Sequence, residues 1–379
     1  MKKVRVISIV LLCVLLLGAC GSSKEISSNV TGNEETQTEA QFEDNGKDIS
    51  QSGTESVDNE NDTSQTALET PPEDWAPNPI SDFDYKYRDE LQGLEVSYKG
   101  TSEKVWFPSE INGDPVVAIQ STQNPEVVKE VYIPEGVKVL REFAFSDCKN
   151  LSYIALPDSV TKIGSNAFYK CSSLTDIRFP SNLKVIGSTA FNNVPLTEIV
   201  LPEGLEVIEE FAFEECKELT SVVIPGSVKK IRLWAFYNCE KLAQITLADP
   251  DAIFEIGNTA FNGTYWYNMQ PEGFIRLGSN LVAHKGNITE SKLVIPEGTK
   301  AIAQDITRIE YIENVTEIVL PEGLKIIGEG AFMDAGMLQT VNIPESVEYI
   351  GNNAFGKCKQ LDEATKERIK QLNPDAIWY

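Results

Sequence analysis

The amino-acid sequence predicts a solenoid, a stack of coils that each give one strand to a parallel sheet on the concave face and return by an irregular or short-helical path. Three regularities predict it. Leading apolar residues fall at Val128, Leu151, Leu174, Leu196, Leu219 and Leu242, then at Val315, Leu338 and Leu361, 22 or 23 residues apart wherever the series is uninterrupted. Within a unit, positions 1, 4 and 6 are apolar, as in Leu219, Val222 and Ile224, and the residues between them alternate outward, the period of a strand with one buried face. An Ala-Phe pair then drives a ring inward. Phe145, Phe168, Phe191, Phe213, Phe236, Phe261, Phe332 and Phe355 make up half of the 16 phenylalanines and predict one continuous aromatic spine, stacked at about the 4.8 Å spacing of strands.

The elements follow in order. Residues 1–19 carry Lys2, Lys3 and Arg5 and then an apolar run from Val6 to Leu17, the pattern of a signal peptide and too short for a membrane span. Leu17-Gly18-Ala19-Cys20 resembles the bacterial lipobox, which implies that Cys20 is lipidated and becomes the first residue of the mature chain. Residues 20–81 read as a disordered acidic tether, because they hold almost no large apolar side chains and, from Gly21 to Ile80, 14 acidic against 2 basic groups. Residues 82–127 read as a degenerate capping repeat, in which Val105-Trp106-Phe107-Pro108 echoes the later units without Ala-Phe.

The repeat array proper spans 128–361. Proline closes its strands at 134, 157, 180, 202, 225, 296, 321 and 344, where it cannot continue a ladder hydrogen bond. Residues 264–289 interrupt the array with Tyr265-Trp266-Tyr267, Phe274 and a Gly278-Ser279-Asn280 turn, which predicts an antiparallel hairpin projecting from the solenoid. Residues 362–379 form a C-terminal cap, with a helix from the N-cap Asp362 to Leu372 stopped by Asn373-Pro374.

The formal net charge is −24, and removing the three basic groups of the leader takes it to −27. Such a balance argues against nucleic acid and against direct adhesion to anionic lipid, so any membrane contact is expected through the lipid anchor alone.

The units read approximately LxxIxIPxxVxxIGxxAFxxC and resemble the BspA-like leucine-rich repeat proteins over residues from about 94 to 361. The resemblance implies a leucine-rich repeat solenoid and an extracellular surface protein, in several members an adhesin, that binds a protein or glycan at a host or microbial cell surface. Two departures stand out: Ile306-Thr307 replaces Ala-Phe in the seventh unit, and Ala248 replaces proline in the sixth, with extra residues near Asp249 to Ala252.

Candidate binding residues are the outward strand positions of the first units, Tyr132, Tyr153, Asp176, Arg178 and Glu198, which combine rings with both charge signs on a rigid surface. The aromatic insertion adds Tyr265, Trp266 and Tyr267, which either anchor a partner or fold back to seal the frayed sixth and seventh units. Cys148, Cys171, Cys216, Cys239 and Cys358 share one repeat position that Ala335 also fills, so they read as buried free thiols, with ladder disulfides and metal ligation as alternatives.

The single histidine, His284, reads as an exposed hairpin residue and makes a multi-histidine metal site impossible. GxSxG, HExxH and a phosphate-cradling loop are absent from the sequence, so neither an enzyme nor a cofactor is expected; a glycosidase-like carboxylate pair is the remote alternative. A monomeric, membrane-anchored recognition module is the leading expectation, and a structural envelope component without a discrete ligand is the second.

Overall fold

The computed structural model describes Trp75 and residues 77–306 and 312–378. The expected leader at 1–19, the lipidation site Cys20 and nearly all of the expected tether lie outside the described residues.

All the coils but the one that begins at Leu174 carry strands of two short parallel ladders instead of one. In the unit that begins at Leu219, Ser221–Ile224 belongs to the first and Lys230–Ile231 to the second. The first ladder runs in three groups: Lys104–Trp106, Glu130–Tyr132 and Tyr153–Ala155; Glu198–Val200, Ser221–Ile224 and Gln244–Leu247; and Lys292–Val294, Glu317–Val319 and Thr340–Asn342. The second is unbroken from Gly93–Tyr98 through Asp114–Thr122 to Glu255–Ile256, and resumes from Asn280–Lys285 to Tyr349–Ile350. The second ladder is the part of the return leg that the expectation of an irregular path missed. The apolar pair before Ala-Phe, such as Val228 and Ile231, marks it, but two residues are too few for a strand pattern to register.

The rest of the return leg is irregular in shape and regular in bonding. Where the coils stack without interruption, the N–H of the spine phenylalanine donates to the alanine carbonyl of the next coil: Phe145 to Ala167, Phe168 to Ala190 and Phe236 to Ala260, each at 2.8 Å. Backbones must therefore approach closely. A Cβ on Gly187 would lie 2.6 Å from the Gly164 carbonyl carbon, which explains the glycine after the second ladder.

The aromatic spine is two runs, not one. Rings stack from Phe145 to Phe261 at centroid spacings of 5.1 to 5.7 Å, and Phe332 pairs with Phe355 at 5.5 Å. Ile306 occupies the rung between them and offers no ring, so the buried core divides there into a larger and a smaller cluster.

The insertion does not project. Tyr265–Asn268 forms a helical turn, and Gly273–Leu277 pairs antiparallel with Asn280–Lys285, whose first residues pair in parallel with Ala301–Ile302. The hairpin is thus absorbed into the second ladder as an extra rung, because its backbone supplies partners that the following coil would otherwise lack. His284 accordingly sits half-buried, its ring 4.8 Å from that of Phe274.

The ends differ. Residues 82–127, expected as one degenerate repeat, open with an antiparallel hairpin of Phe83–Arg88 on Gly93–Tyr98, followed by a coil whose Phe107 contacts Phe145 at 6.2 Å. Buried Glu95 fastens that hairpin, accepting from Arg88 and from Arg141 Nε at 2.7 Å. At the other end Asp362 caps the helix Glu363–Leu372 through the Thr365 N–H at 2.8 Å, and Ile369 covers the last coil.

Candidate binding surface

The first ladder aligns the outward positions in register. Lys104, Glu130 and Tyr153 form one row, and Trp106, Tyr132 and Ala155 the next. Within these rows the sequence candidates fare differently. Tyr132 is only 9% exposed because the Trp106 ring stands edge-on against it at 5.8 Å, and burial raises its hydroxyl pKa. Tyr153 is 37% exposed, and Asp176 and Glu198 are open to solvent.

Arg178 turns sideways. Its Nη2 grips both carboxylate oxygens of Asp158 at 3.0 and 3.1 Å, which, with the Ser181 N–H, holds that carboxyl below its ordinary range. Residues 176–178 also leave the ladder. Phe179 stands where other units have Ile or Leu, and its larger ring packs edge-on against Phe191 at 5.6 Å, displacing the strand from its partners. The five candidates therefore do not form one flat patch: Tyr153, Asp176 and Glu198 are presented, Tyr132 supports from beneath, and Arg178 is held half-buried.

Trp106 was missed as a surface residue, although its place at position 5 of Lys104-Val105-Trp106 was the available signal. Trp75 could not be found that way. It is buried, with Lys104 Nζ 5.3 Å above its ring, while the Asn78 side chain accepts the Trp106 N–H at 2.7 Å and satisfies the ladder's first edge.

In the insertion Trp266 packs inward, its ring 5.8 Å from that of Phe261, and its backbone N–H donates to the Leu242 carbonyl at 2.8 Å. Thr264 caps the turn by accepting from the Tyr267 N–H. Lys285 Nζ lies 5.6 Å from the Tyr267 ring, and Tyr265 alone of the three aromatics is more than half exposed, at 51%.

The five repeat cysteines are fully buried. Thiols donate to the phenylalanine carbonyl of the preceding coil, Cys171 to Phe145, Cys216 to Phe191 and Cys239 to Phe213, each at 3.1 Å. Burial pushes Cys148 and Cys358 up to about 12. Among the described residues no group of three or more His, Cys, Asp and Glu side chains is placed to hold a metal ion.

A second aromatic cluster, unanticipated from the sequence, lies on the return leg. Phe211 and Trp234 contact at 5.1 Å with planes at 80°, and Tyr237 lies nearly parallel to the indole at 5.4 Å. Phe211 and Trp234 both have left-handed backbone, with φ of 60° and 57°.

Compared with known families, residues 123–242, 184–307 and 277–377 match the model of the BspA type leucine-rich repeat region. The chain belongs to this BspA-type family. Among solved structures, this BspA-type chain is similar to a leucine-rich repeat protein of T. pallidum, with 31% identity over 50% of this chain and 90% of that one and a TM-score of 0.46. A leucine-rich repeat protein from Bacteroides ovatus is 25% identical, over 76% of this chain and 81% of its own, with a TM-score of 0.42. A leucine rich cell surface protein from Faecalibacterium prausnitzii is 19% identical, over 78% and 88%, with a TM-score of 0.39. No curated protein matches the chain.

Proposed function

We propose that this BspA-type protein is a recognition and adhesion module, anchored outside the cell through a lipid on Cys20, that binds a protein or glycan on the outward face of its first ladder. The observation that carries the reading is the exposed set Tyr153, Asp176 and Glu198. Tyr153 and Glu198 stand on strands fixed in register with Glu130 and Ser221. A ring and carboxylates on a backbone that needs no reordering lose little entropy on binding. Tyr132 backs this face from beneath, Arg178 flanks it, and Tyr265, with Trp266 and Tyr267 behind it, gives a separate contact at the insertion. The leader and the acidic surface support an exposed, soluble module and disfavour polyanionic partners.

Affinity capture with the full chain from cell-surface extracts tests the binding claim. Saturable enrichment of a partner, lowered at least tenfold by combined Tyr153→Ala, Asp176→Ala and Glu198→Ala in a folded variant, is expected. Absence of any saturable partner would favour a structural envelope role instead. Labelling with a tagged fatty acid tests the anchor: wild type takes the label and Cys20→Ala does not.

A further inference from the structure

The two ends of the second ladder are finished differently. At the last strand, Tyr349–Ile350, the Asn373 side chain donates to the Ile350 and Gly351 carbonyls at 3.1 and 3.3 Å and closes the edge. At the other end the strand Phe83–Arg88 is outermost and, among the described residues, has Gly93–Tyr98 as its single neighbour. Antiparallel pairing alternates between residues that bond across and residues that bond away. The Lys99 N–H donates to the Asp82 carbonyl at 2.8 Å, and the Tyr98 carbonyl, opposite Phe83, is spent on the far side with the Gln123 N–H at 2.8 Å. Asp84, Lys86 and Arg88 are therefore the residues that bond to the neighbour, and the backbone N–H and C=O groups of Tyr85 and Tyr87 face outward.

An open edge of this kind is a template for another strand. This one displays two rings, Tyr85 at 45% and Tyr87 at 43% exposure, on the same face as buried Phe83. The opposite face carries Asp84, Lys86 and Arg88. Two of these charges are held in place by the chain itself: Asp84 accepts from Lys99 Nζ at 2.6 Å and Gln123 Nε2 at 3.0 Å, and Arg88 Nε donates to Glu95 at 3.0 Å. About Tyr85 the sequence is also antisymmetric in charge. Asp82-Phe83-Asp84 precedes it and Lys86-Tyr87-Arg88 follows, so acid mirrors base and ring mirrors ring.

We infer that this edge is the contact of a homodimer, in place of the monomer expected from the sequence, and that Phe83–Arg88 pairs antiparallel with the same strand of a second copy about a twofold axis through Tyr85. In that register Tyr85 exchanges both backbone bonds with its own copy. Each Tyr87 N–H reaches the other chain's Phe83 carbonyl, the Phe83 N–H being already held by the Ile80 carbonyl. On the polar face Asp84 falls opposite Lys86 twice over, and at the strand ends Asp82 opposite Arg88, the arrangement that favours cross-strand pairing. On the other face the tyrosine rings meet and leave water. Centring the axis on Asp84 or on Lys86 would set like charges against each other, so the charges select one register. The contact is isologous and closes at two copies. A strand from an unrelated protein could add to the same edge, but it would have no use for the antisymmetry.

This inference goes beyond the recognition reading and uses none of its residues, so the two fail separately. So short a strand puts the contact at the small end of protein interfaces, and the dimer is reversible. Sedimentation equilibrium of the full chain over a roughly hundredfold range of concentration should follow a monomer–dimer equilibrium. Asp84→Lys alone and Lys86→Asp alone each set like charges opposite and should weaken dimerisation at least tenfold, with melting curves showing both variants folded. Mixed in equal amounts, the two single variants regain opposite charges at both pairs and should associate with each other as wild type does with itself. Tyr85→Pro removes an N–H that only the second copy uses, and should abolish the dimer by itself. A wild type that stays monomeric throughout, single variants that dimerise as wild type does, a mixture that remains monomeric, or a dimer that survives Tyr85→Pro would overturn the assignment.

Discussion

The side chain of Asn280 accepts the Phe254 N–H at 3.2 Å and donates to the Ala252 carbonyl at 2.9 Å. Fully buried, it bonds the sixth coil across the interruption in the array, where the following coil pairs instead with the inserted strand. The amide thereby stands in for two backbone bonds of the ladder, beside the Gln304 N–H that donates to the Ile256 carbonyl across the same break at 2.8 Å.

Asn280→Ala should therefore leave a buried N–H and a buried carbonyl short of partners, destabilising the fold by about 2–3 kcal/mol. Denaturant unfolding monitored at Trp266, which packs on the same end of the core, measures it; a loss under about 0.5 kcal/mol would mean that the backbone recloses without the amide.

The spine predicts a gradient of sensitivity. Phe191 has stacked neighbours on both sides, Phe168 at 5.1 Å and Phe213 at 5.3 Å, whereas Phe355 has one, Phe332 at 5.5 Å. Phe191→Ala should cost roughly 3–5 kcal/mol and Phe355→Ala the lower end of that range or less. Equal losses at the two sites would remove any role for ring stacking beyond burial.

The thiols predict an alkaline limit. Burial raises the folded pKa of Cys148 and Cys358 to about 12, and raises Cys171 and Cys239 as well, above the unfolded value of roughly 8.5. Their contribution is fully present below that unfolded value and is lost as pH climbs toward the folded one, at on the order of 1.4 kcal/mol per pH unit for each thiol. Stability curves from pH 8 to 11 should fall, and fall less steeply in Cys148→Ala with Cys358→Ala. Reagent labelling at pH 8 should find the repeat thiols silent until the chain unfolds.

Phe143 stands two residues before Phe145, the repeat position that Phe211 and Trp234 also fill with an aromatic ring on left-handed backbone. Its φ is 61° and its ring is 54% exposed, so left-handed strain is not repaid by burial. Phe143→Asn is expected to raise stability by about 1 kcal/mol, read as a higher melting temperature. A decrease would show that the ring holds a neighbour in place.

Much of this architecture is legible in the sequence because each coil repeats the same local problem. The proline after Ile224, the Ala-Phe step at Phe236 and the cysteine rung at Cys239 recur at one period, and each buries or bonds against its own image one coil away. The return leg was less legible. A two-residue strand such as Lys230–Ile231 has no alternation of its own, and its ladder exists only because Val207–Ile208 and Glu255–Ile256 lie alongside it.

What the sequence determined by itself is the coil: its length, its buried positions and its family. What only the tertiary structure decided is which outward residues a partner can reach and how the broken period is mended. Tyr132 is covered by Trp106, Arg178 is drawn to Asp158, and Asn280 closes a gap onto Phe254, through partners 20 to 26 residues distant in the chain. A side-chain period reports the inside or outside of one's own coil. Exposure, strain and satisfied hydrogen bonds depend on what the adjacent coil places opposite, and that is set by stacking.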